Sequence, residues 1–333
     1  MSVIYLVSDT AYARKNGGRM IVEGENISQY SVPIESVDAV VVGRRGRISM
    51  PMIFALLEHG CQISYVDFRG RVLGVLGGER GSLERLQRQM ECFSKKECQL
   101  ELVKYVLRRK IRAQSELIKS YAKREHNEEA KDRSKAFRDF LALVETQQDV
   151  DSLRGVEGAA SQCYFDSFRY ILPEGWEWNG RNRRPPRDPI NSMLGYGYAF
   201  LEREVRYAIE GAKLDPRIGF FHSNNGRKDS LVYDIMEIFR QSVIDHFIMR
   251  IINYKTLTPD DFYMKSGKGC LLSNEARGKW ISQYEKYMNC PFKRIGGVSV
   301  RDYIRQEVFI FADSMWKTGD MYCMDDTPVT DIE

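Results

Sequence analysis

The stretch GVLGGERGS, residues 74–82, separates two parts of the sequence that follow different patterns. Glycine-rich stretches interrupt regular structure and often join domains. Short runs rich in Val, Ile and Tyr precede this stretch, whereas apolar residues recur at steps of three and four after it. The pattern predicts an α+β protein with a β-rich domain at 1–76, a glycine-rich linker at 77–82 and a mostly α-helical domain at 83–316. Residues 317–333 form an acidic tail, which we expect to be mobile.

The β-rich part contains five runs typical of strands, at 2–7, 19–23, 38–42, 62–67 and 71–76. Between them, Pro51 in a first turn favours a short helix over residues 50–58. A domain of this size leaves little room for a pocket. We therefore expect it to serve in packing and in dimer contact.

Composition and charge place the chain among globular proteins that suit a polyanionic partner. Its 333 residues favour two domains, and 43% of them are hydrophobic and 29% charged. From Asp313 onward there are six acids and one base, so the rest of the chain has 49 basic and 40 acidic residues, a surplus of +9. Such a surplus favours binding to a polyanion.

The first residues, MSVIYLVSDT, read as a strand rather than a signal peptide, because no basic residues precede the apolar ones. The seven cysteines form no C-x-x-C pair, and no apolar run approaches the roughly 20 residues needed to cross a bilayer. We expect a soluble, cytoplasmic protein with reduced thiols and no membrane partner.

Basic residues dominate the first helical stretch after the linker and include Lys104, Arg109 and Lys110. Such a run is typical of a solvated helix face; a series of phosphate contacts is the alternative.

Glu157 lies in the stretch RGVEGAAS, residues 154–161, where glycine, alanine and serine surround it. Small residues let another helix approach closely, so we expect Glu157 near the interior. A buried carboxylate requires a partner, which can be a basic side chain in an ordinary ion pair or a metal.

The stretch NGRNRRPPRDPIN, residues 179–191, predicts an extended basic loop. Its prolines stiffen the loop, and Asp188 followed by Pro189 is a typical start of a helix, here expected to run to about Ala208. The loop can be an ordinary solvated surface, but phosphate contact is favoured because guanidinium groups match phosphate geometry. Its arginines are Arg181, Arg183, Arg184 and Arg187.

The stretch GFFHSNNGRKDSLVYDIMEIFR, residues 219–240, brings candidate ligands together. His222 precedes a polar loop, after which Asp229 or Ser230 can cap a helix. Asp234 and Glu237 are three residues apart and so share a face of that helix. If the loop folds back, an imidazole and two carboxylates form half of a divalent-metal site. With Glu157 added, this set favours Mg²⁺ or Mn²⁺.

Other chemistries find no support in the sequence. SGKG at 266–269 lacks the glycine and the Ser or Thr of a phosphate-binding loop, and there is no G-x-S-x-G motif. The histidines and cysteines are in no register for structural zinc.

The order of these motifs resembles that of the CRISPR-associated endonuclease family, the integrase that inserts new spacers into CRISPR arrays. The resemblance extends from about Ser2 to Trp316. It rests on EGAAS at 157–161, DPIN at 188–191, GFFH at 219–222 and SLVYDIMEIFR at 230–240, preceded by a β-rich domain and a glycine joint. The resemblance implies an N-terminal β-sandwich followed by a helical catalytic domain.

The resemblance also implies site residues and partners. The metal ligands are Glu157, His222 and Glu237, and Asp234 supports catalysis. The doubled proline and arginine in the loop leave open which arginine matches which family position. The expected DNA-binding residues are Arg181, Arg183, Arg184, Arg187, Asn191, Arg227, Lys228 and Arg240.

The implied reaction is attack by the 3′-OH of a short double-stranded DNA, the prespacer, on a phosphodiester of the CRISPR repeat. The implied partners are a second copy of the chain, giving a homodimer, and a small ferredoxin-like CRISPR-associated companion protein. Two alternatives stay open: a structure-specific metal-dependent nuclease that uses water, and a non-catalytic DNA-binding scaffold.

Overall fold

The computed structural model describes residues 2–315 except 9, 26, 69, 78–82, 125, 223–228 and 292–296. Arg227, Lys228, most of the predicted linker and the acidic tail at 317–333 therefore lie outside the described residues. The chain divides into two compact units, Met1–Gly81 and Ser82–Glu333. The change of pattern at residues 74–82 coincides with this division.

The first unit consists of two sheets that enclose one apolar core. One sheet has the strand order β1-β5-β7-β8, in which β1, β5 and β7 are parallel and β8 is antiparallel, and the other has the order β4-β3-β2-β6. Leu6, Met20, Val40 and Ile63 contribute to the core from both sheets. The predicted β-sandwich and short helix are confirmed. The elements are β1 Ser2–Leu6, β2 Tyr12–Asn16, β3 Arg19–Gly24, β4 Ile27–Pro33, β5 Val37–Gly43, β6 Arg47–Ile48, α1 Met50–Glu58, β7 Gln62–Val66 and β8 Val72–Leu76.

The sequence pattern missed β2, β4 and β6. The sequences of β2 and β4, YARKN and ISQYSVP, are largely polar, and much of each strand faces solvent. A strand that buries few side chains lacks the dense Val and Ile content by which the others were identified.

The second unit is mostly helical, as predicted. Its elements are α2 Leu83–Ser94, α3 Lys96–Arg124, α4 Glu128–Lys135, α5 Phe137–Thr146, α6 Val150–Asp166, α7 Pro189–Gly211, α8 Ser230–Phe239, α9 His246–Asn253, β9 Phe262–Lys265, β10 Gly269–Leu272, α10 Asn274–Asn289 and α11 Val300–Ser314. In the described part of the chain, no helix is long and apolar enough to cross a membrane.

The 29-residue helix α3 runs through the unit and packs against α4, α5, α6 and α8. The two interpretations of its basic residues are wrong for Lys104, Arg109 and Lys110. Lys104 and Lys110 are buried, and Arg109 Nη2 lies 2.7 Å from Glu307 Oε2 of α11. These side chains are internal ion-pair partners and not solvated cations.

The helices that position the site begin at the residues that the sequence indicates, but the expected side-chain cap forms only at α7. Asp188 Oδ1 accepts the N–H of Asn191 at 2.7 Å, which caps α7, and Pro189 is its first residue. Asp229 precedes α8, but its side chain does not cap the helix and instead forms an ion pair with Arg206. A π-helical segment, Arg240–Asp245, connects α8 to α9.

Candidate active site

Asp234 of α8 fixes the backbone of the segment Gly219–His222. Its Oδ2 accepts the N–H groups of Phe220 at 2.7 Å and Phe221 at 3.0 Å, and its Oδ1 accepts the N–H of His222 at 2.8 Å. Asp234 is fully buried. A buried carboxylate is stable only when such donors satisfy its oxygens, so helix and segment hold one another in place.

Side chains from other helices hold the opposite side of the same segment. Gln99 Nε2 of α3 donates to the Phe220 carbonyl at 2.6 Å, and Arg154 Nη2 of α6 donates to the Phe221 carbonyl at 2.5 Å. The ring of Phe220 stacks on Phe311 of α11 with 5.7 Å between centroids. The segment is therefore tied to four helices.

His222 is oriented by the same carboxylate. Its Nδ1 lies 2.6 Å from Asp234 Oδ1. Because an ionised carboxylate only accepts hydrogen bonds, the neutral imidazole carries its hydrogen on Nδ1 and has its lone pair on Nε2. The His222 side chain is 44% exposed. At Gly219 a Cβ atom would lie 2.6 Å from Asp234 Oδ2, so this close approach requires glycine.

Glu157 of α6 and Glu237 of α8 converge on Lys110 of α3. Lys110 Nζ contacts Glu157 Oε1 and lies 2.8 Å from Glu237 Oε2. Ser161 Oγ donates to Glu157 Oε1 at 3.0 Å. The side chains of Lys110 and Glu237 are 5% and 7% exposed, whereas that of Glu157 is 28% exposed. The site is closed on the side of α3 and α8 and partly open at Glu157 and His222.

The charges around Glu237 keep it ionised. Burial opposes ionisation, but the positive charges of Arg240 and Lys110 outweigh it and lower the pKa of Glu237 to about 2, with a smaller contribution from His222. Arg240 Nε lies 3.3 Å from Glu237 Oε1.

Glu237 supplies the test of whether these residues suit a metal. Its Oε2 is buried and ionised, and its partner among the described residues is the ammonium group of Lys110, whose Nζ lies 2.8 Å away. Such an oxygen suits a hard cation such as Mg²⁺ or Mn²⁺. Within the described ranges, no three histidine, cysteine or acidic side chains already surround one point as metal ligands. The ammonium group of Lys110 lies between the two glutamates.

Asn191 holds the basic loop to the start of α7. Its Nδ2 donates to the Gly180 carbonyl at 2.9 Å and to Asp188 Oδ2 at 2.6 Å. Its Oδ1 accepts from Arg181 Nη1 at 2.7 Å and from the N–H of Asn182 at 2.9 Å. These four bonds use the whole capacity of the amide, and the side chain is buried.

The loop arginines fall into two groups. The side chain of Arg181 is half-buried, and its guanidinium lies 5.7 Å from the ring centroid of Tyr198. Burial lowers the pKa of Arg181. Arg183, Arg184 and Arg187 are exposed, and none of their side chains forms a hydrogen bond or ion pair with a described residue. These three remain candidates for phosphate contact.

A β-hairpin supports the loop from the side. The N–H of Cys270 in β10 donates to the Pro186 carbonyl at 2.8 Å. At Gly269 a Cβ atom would lie 2.2 Å from the same oxygen, so the hairpin and the loop touch through their backbones. No pattern in the sequence indicates this contact.

A polar layer lies directly behind the site. Arg240, expected to bind DNA, is mostly buried, with its guanidinium 4.9 Å from the Tyr198 ring centroid. Asp245 accepts hydrogen bonds from Tyr198 at 2.7 Å and from Tyr164 at 2.8 Å. Burial raises the pKa of Asp245 to about 6, against the effect of these two bonds.

Lys110 is the site residue that the sequence interpretation missed. It was grouped with the basic residues of one helix. Its spacing carried a signal, because Val103, Leu107, Lys110, Gln114 and Leu117 recur at steps of three and four along the buried face of α3. A lysine in an apolar stripe requires an internal partner.

A sequence model described as CRISPR associated protein Cas1 matches residues 4–286. One relative, a CRISPR-associated endonuclease Cas1 of Rhodospirillum rubrum, is 30% identical over 302 residues, which cover 86% of each chain.

Solved structures share the fold. A casposase bound to an integration product has a TM-score of 0.84 at 21% identity and covers 100% of this chain and 96% of that one. A chain of a Cas6-RT-Cas1–Cas2 complex has a TM-score of 0.78 at 22% identity, over 95% of this chain and 35% of that one.

Proposed function

Since this chain belongs to the CRISPR-associated Cas1 family, we propose that it is a divalent-metal-dependent DNA integrase and endonuclease of spacer acquisition. The observation that carries the proposal is the convergence of Glu157 and Glu237 on one buried cation, Lys110, together with a histidine that is oriented by Asp234 of the same helix as Glu237. The sequence motifs single out these same acidic and histidine side chains, namely Glu157, His222, Asp234 and Glu237.

Glu157, Glu237 and the Nε2 atom of His222 are the groups that would hold Mg²⁺ or Mn²⁺. Such an ion, when bound, polarises a phosphoryl oxygen and stabilises the leaving oxyanion. Two carboxylates and one imidazole suit either ion.

The chain's own residues prepare the site for that ion. Asp234 holds His222 in the tautomer that leaves Nε2 free, as a carboxylate behind a metal-binding histidine does. Arg240 forms an ion pair with Glu237, and its positive charge keeps that carboxylate ionised. Both arrangements fix ligands before substrate arrives, so little reorganisation is required during the reaction.

The proposed substrates are a short double-stranded DNA, the prespacer, and the CRISPR repeat. The 3′-OH of the first attacks a phosphodiester of the second, a transesterification that requires no nucleotide cofactor. Arg183, Arg184 and Arg187 project from a loop held by Asn191 and by the hairpin, which suits contact with phosphates. The casposase neighbour, bound to an integration product, supports this choice.

The proposed partners are a second copy of the chain and the companion Cas2, which is present in the complex of one structural neighbour. The first unit exposes Met50 and Phe54 on α1 and Leu73 and Leu76 on β8. Exposed large apolar residues are typical of interaction surfaces, so we assign the homodimer contact to this unit. We place the protein in the cytoplasm, where the repeat DNA is located.

A strand-transfer assay tests the proposal. The full chain is incubated with a prespacer, a labelled repeat duplex and Mg²⁺ or Mn²⁺, with and without the companion protein. We expect joined products of higher length than the repeat, which depend on the metal. Fragments without joined products would indicate a nuclease that uses water instead.

The Glu157→Gln and His222→Ala variants test the scaffold alternative. We expect both to bind DNA as the wild type does and to form almost no joined product. Wild-type turnover in either variant would mean that these residues form structural contacts only.

A further inference from the structure

Lys110 lies between the two glutamates that would hold the proposed metal. Its Nζ contacts both Glu157 and Glu237, and its side chain is almost fully buried. The motifs that define the site do not include it. Its role therefore requires an explanation of its own.

We propose that Lys110 is a resident cation that holds the two glutamates in the metal-free protein and leaves them when a divalent metal enters. Metal binding is then an exchange of cations, and Lys110 sets the metal affinity of the site. This inference rests on the proposed metal-dependent function.

Charge balance requires such a cation. Two carboxylates that converge in a mostly buried space repel one another, and each is costly to leave unpaired. The ammonium group, together with Arg240 beside Glu237, neutralises them before metal arrives and so keeps both side chains in place.

The ammonium group and a divalent ion cannot share this position. A charge of +1 and a charge of +2 held close together in a mostly buried site repel one another strongly, because little water is present to screen them. Lys110 therefore has to withdraw for both glutamates to bind the metal.

Gln114 provides a place for the withdrawn ammonium group. It lies one turn along α3 on the same face, and side chains four residues apart on a helix are neighbours. Gln114 is fully buried, and neither Oε1 nor Nε2 has a hydrogen-bond partner among the described residues. Its free Oε1 is an acceptor that a withdrawn Lys110 can use.

The test measures Mn²⁺ binding to the full chain without DNA, by the loss of the free Mn²⁺ signal in electron paramagnetic resonance. Replacing Lys110 with methionine keeps the length of the side chain and removes the competing charge. We expect Lys110→Met to bind Mn²⁺ at least tenfold more tightly than the wild type. We also expect its melting temperature to be lower without metal and to rise more when Mn²⁺ is added.

Two further variants fix the interpretation. Lys110→Arg retains the charge and should bind Mn²⁺ no more tightly than the wild type. Gln114→Leu removes the acceptor and should weaken binding by about threefold or more when Lys110 is present, but not in the Lys110→Met background. Lys104→Met is the matched control, since Lys104 is a buried lysine of the same helix that donates to the Glu145 carbonyl; we expect no gain in affinity.

Two outcomes would overturn the inference while the proposed function stands. In the first, the wild type binds Mn²⁺ and Lys110→Met binds it equally or more weakly. In the second, Gln114→Leu reduces the Mn²⁺ affinity by the same factor with Lys110 present and in the Lys110→Met background. If Lys110→Met does not fold, Lys110→Gln tests the same expectation. No Mn²⁺ binding by any of these proteins would instead contradict the proposed metal site itself.

Discussion

Lys110 and Arg301 are both buried cations between two carboxylates of the helical unit, but their surroundings differ. Arg301 of α11 binds Glu204 through Nε at 3.0 Å and Nη2 at 2.9 Å, binds Glu285 at 3.0 Å, and donates from Nη1 to Asn289 at 2.8 Å. Its side chain is 1% exposed. We call these four residues the Arg301 cluster, and Lys110, Glu157 and Glu237 the Lys110 cluster.

The comparison shows how a structural ion pair differs from a site prepared for a ligand. Each nitrogen of the Arg301 guanidinium has an acceptor, and the planar fork fixes the geometry. In the Lys110 cluster one compact ammonium group is shared by two carboxylates, and the cluster is partly open to solvent at Glu157. A satisfied cluster stabilises the fold, whereas a partly satisfied one can exchange its cation.

The largest effect should come from Glu237→Gln. Because the proposed ligand loses its charge, we expect strand transfer to fall by about a thousandfold or more, equivalent to about 4 kcal/mol. Glu285→Gln in the Arg301 cluster is the matched control and should retain activity per folded molecule. Equal losses of activity in both variants would remove the distinction between the clusters.

Arg301→Met should have the next largest effect, on stability. It leaves two buried carboxylates without their counterion, so we expect the free energy of unfolding to fall by about 3 kcal/mol. Urea denaturation followed by circular dichroism measures this. A change below about 1 kcal/mol would show that the Arg301 cluster is not a structural anchor.

Asp234→Asn should reduce strand transfer by about 10- to 100-fold, the usual effect of losing a carboxylate behind a metal-binding histidine. The amide can still accept some of the backbone N–H groups, so the fold should persist. Mn²⁺ affinity and steady-state rates are measured together. An unchanged affinity would mean that Asp234 fixes only the backbone and does not orient His222.

The smallest expected effect concerns Asp245, a buried acid with neutral tyrosine partners. Its pKa of about 6 in the folded protein exceeds the usual 3.9 of an unfolded chain. The folded state then binds the proton more tightly, so this group's contribution to stability is lost as pH rises from about 4 to 6, by on the order of 1–2 kcal/mol.

Asp245→Asn removes this titration. We expect the difference in unfolding free energy between the variant and the wild type to shift in favour of the variant between pH 4 and pH 7, in parallel urea titrations. A constant difference across that range would contradict the raised pKa.

The sequence predicted those parts of the structure that depend on local patterns. The division at residues 74–82, the start of α7 at Asp188 and the shared face of Asp234 and Glu237 all follow from propensity, capping and helical spacing. The neighbourhood of Glu157 was predicted as a choice between a basic side chain and a metal. The structure supplies the basic side chain, Lys110.

The remaining features depend on contacts between distant residues. Arg240 looked like a surface base, but its position after Glu237 turns it inward against Tyr198. Asn191 looked available to DNA, yet the folded loop uses its whole amide. Local spacing predicts neither the burial of Arg240 nor the hydrogen bonds of Asn191. The residues that contact these two side chains lie more than one helical turn away along the chain or on another element.

The ties on Gly219–His222 have a consequence for biosynthesis. The segment is held by Gln99, Arg154 and Asp234, and by the ring of Phe311 near the end of the last described helix. Residues as far apart in the chain as Gln99 and Phe311 therefore have to meet before all contacts of this segment exist. A nascent chain that has been translated only as far as α10 lacks one of these contacts, so the segment is completed late in synthesis.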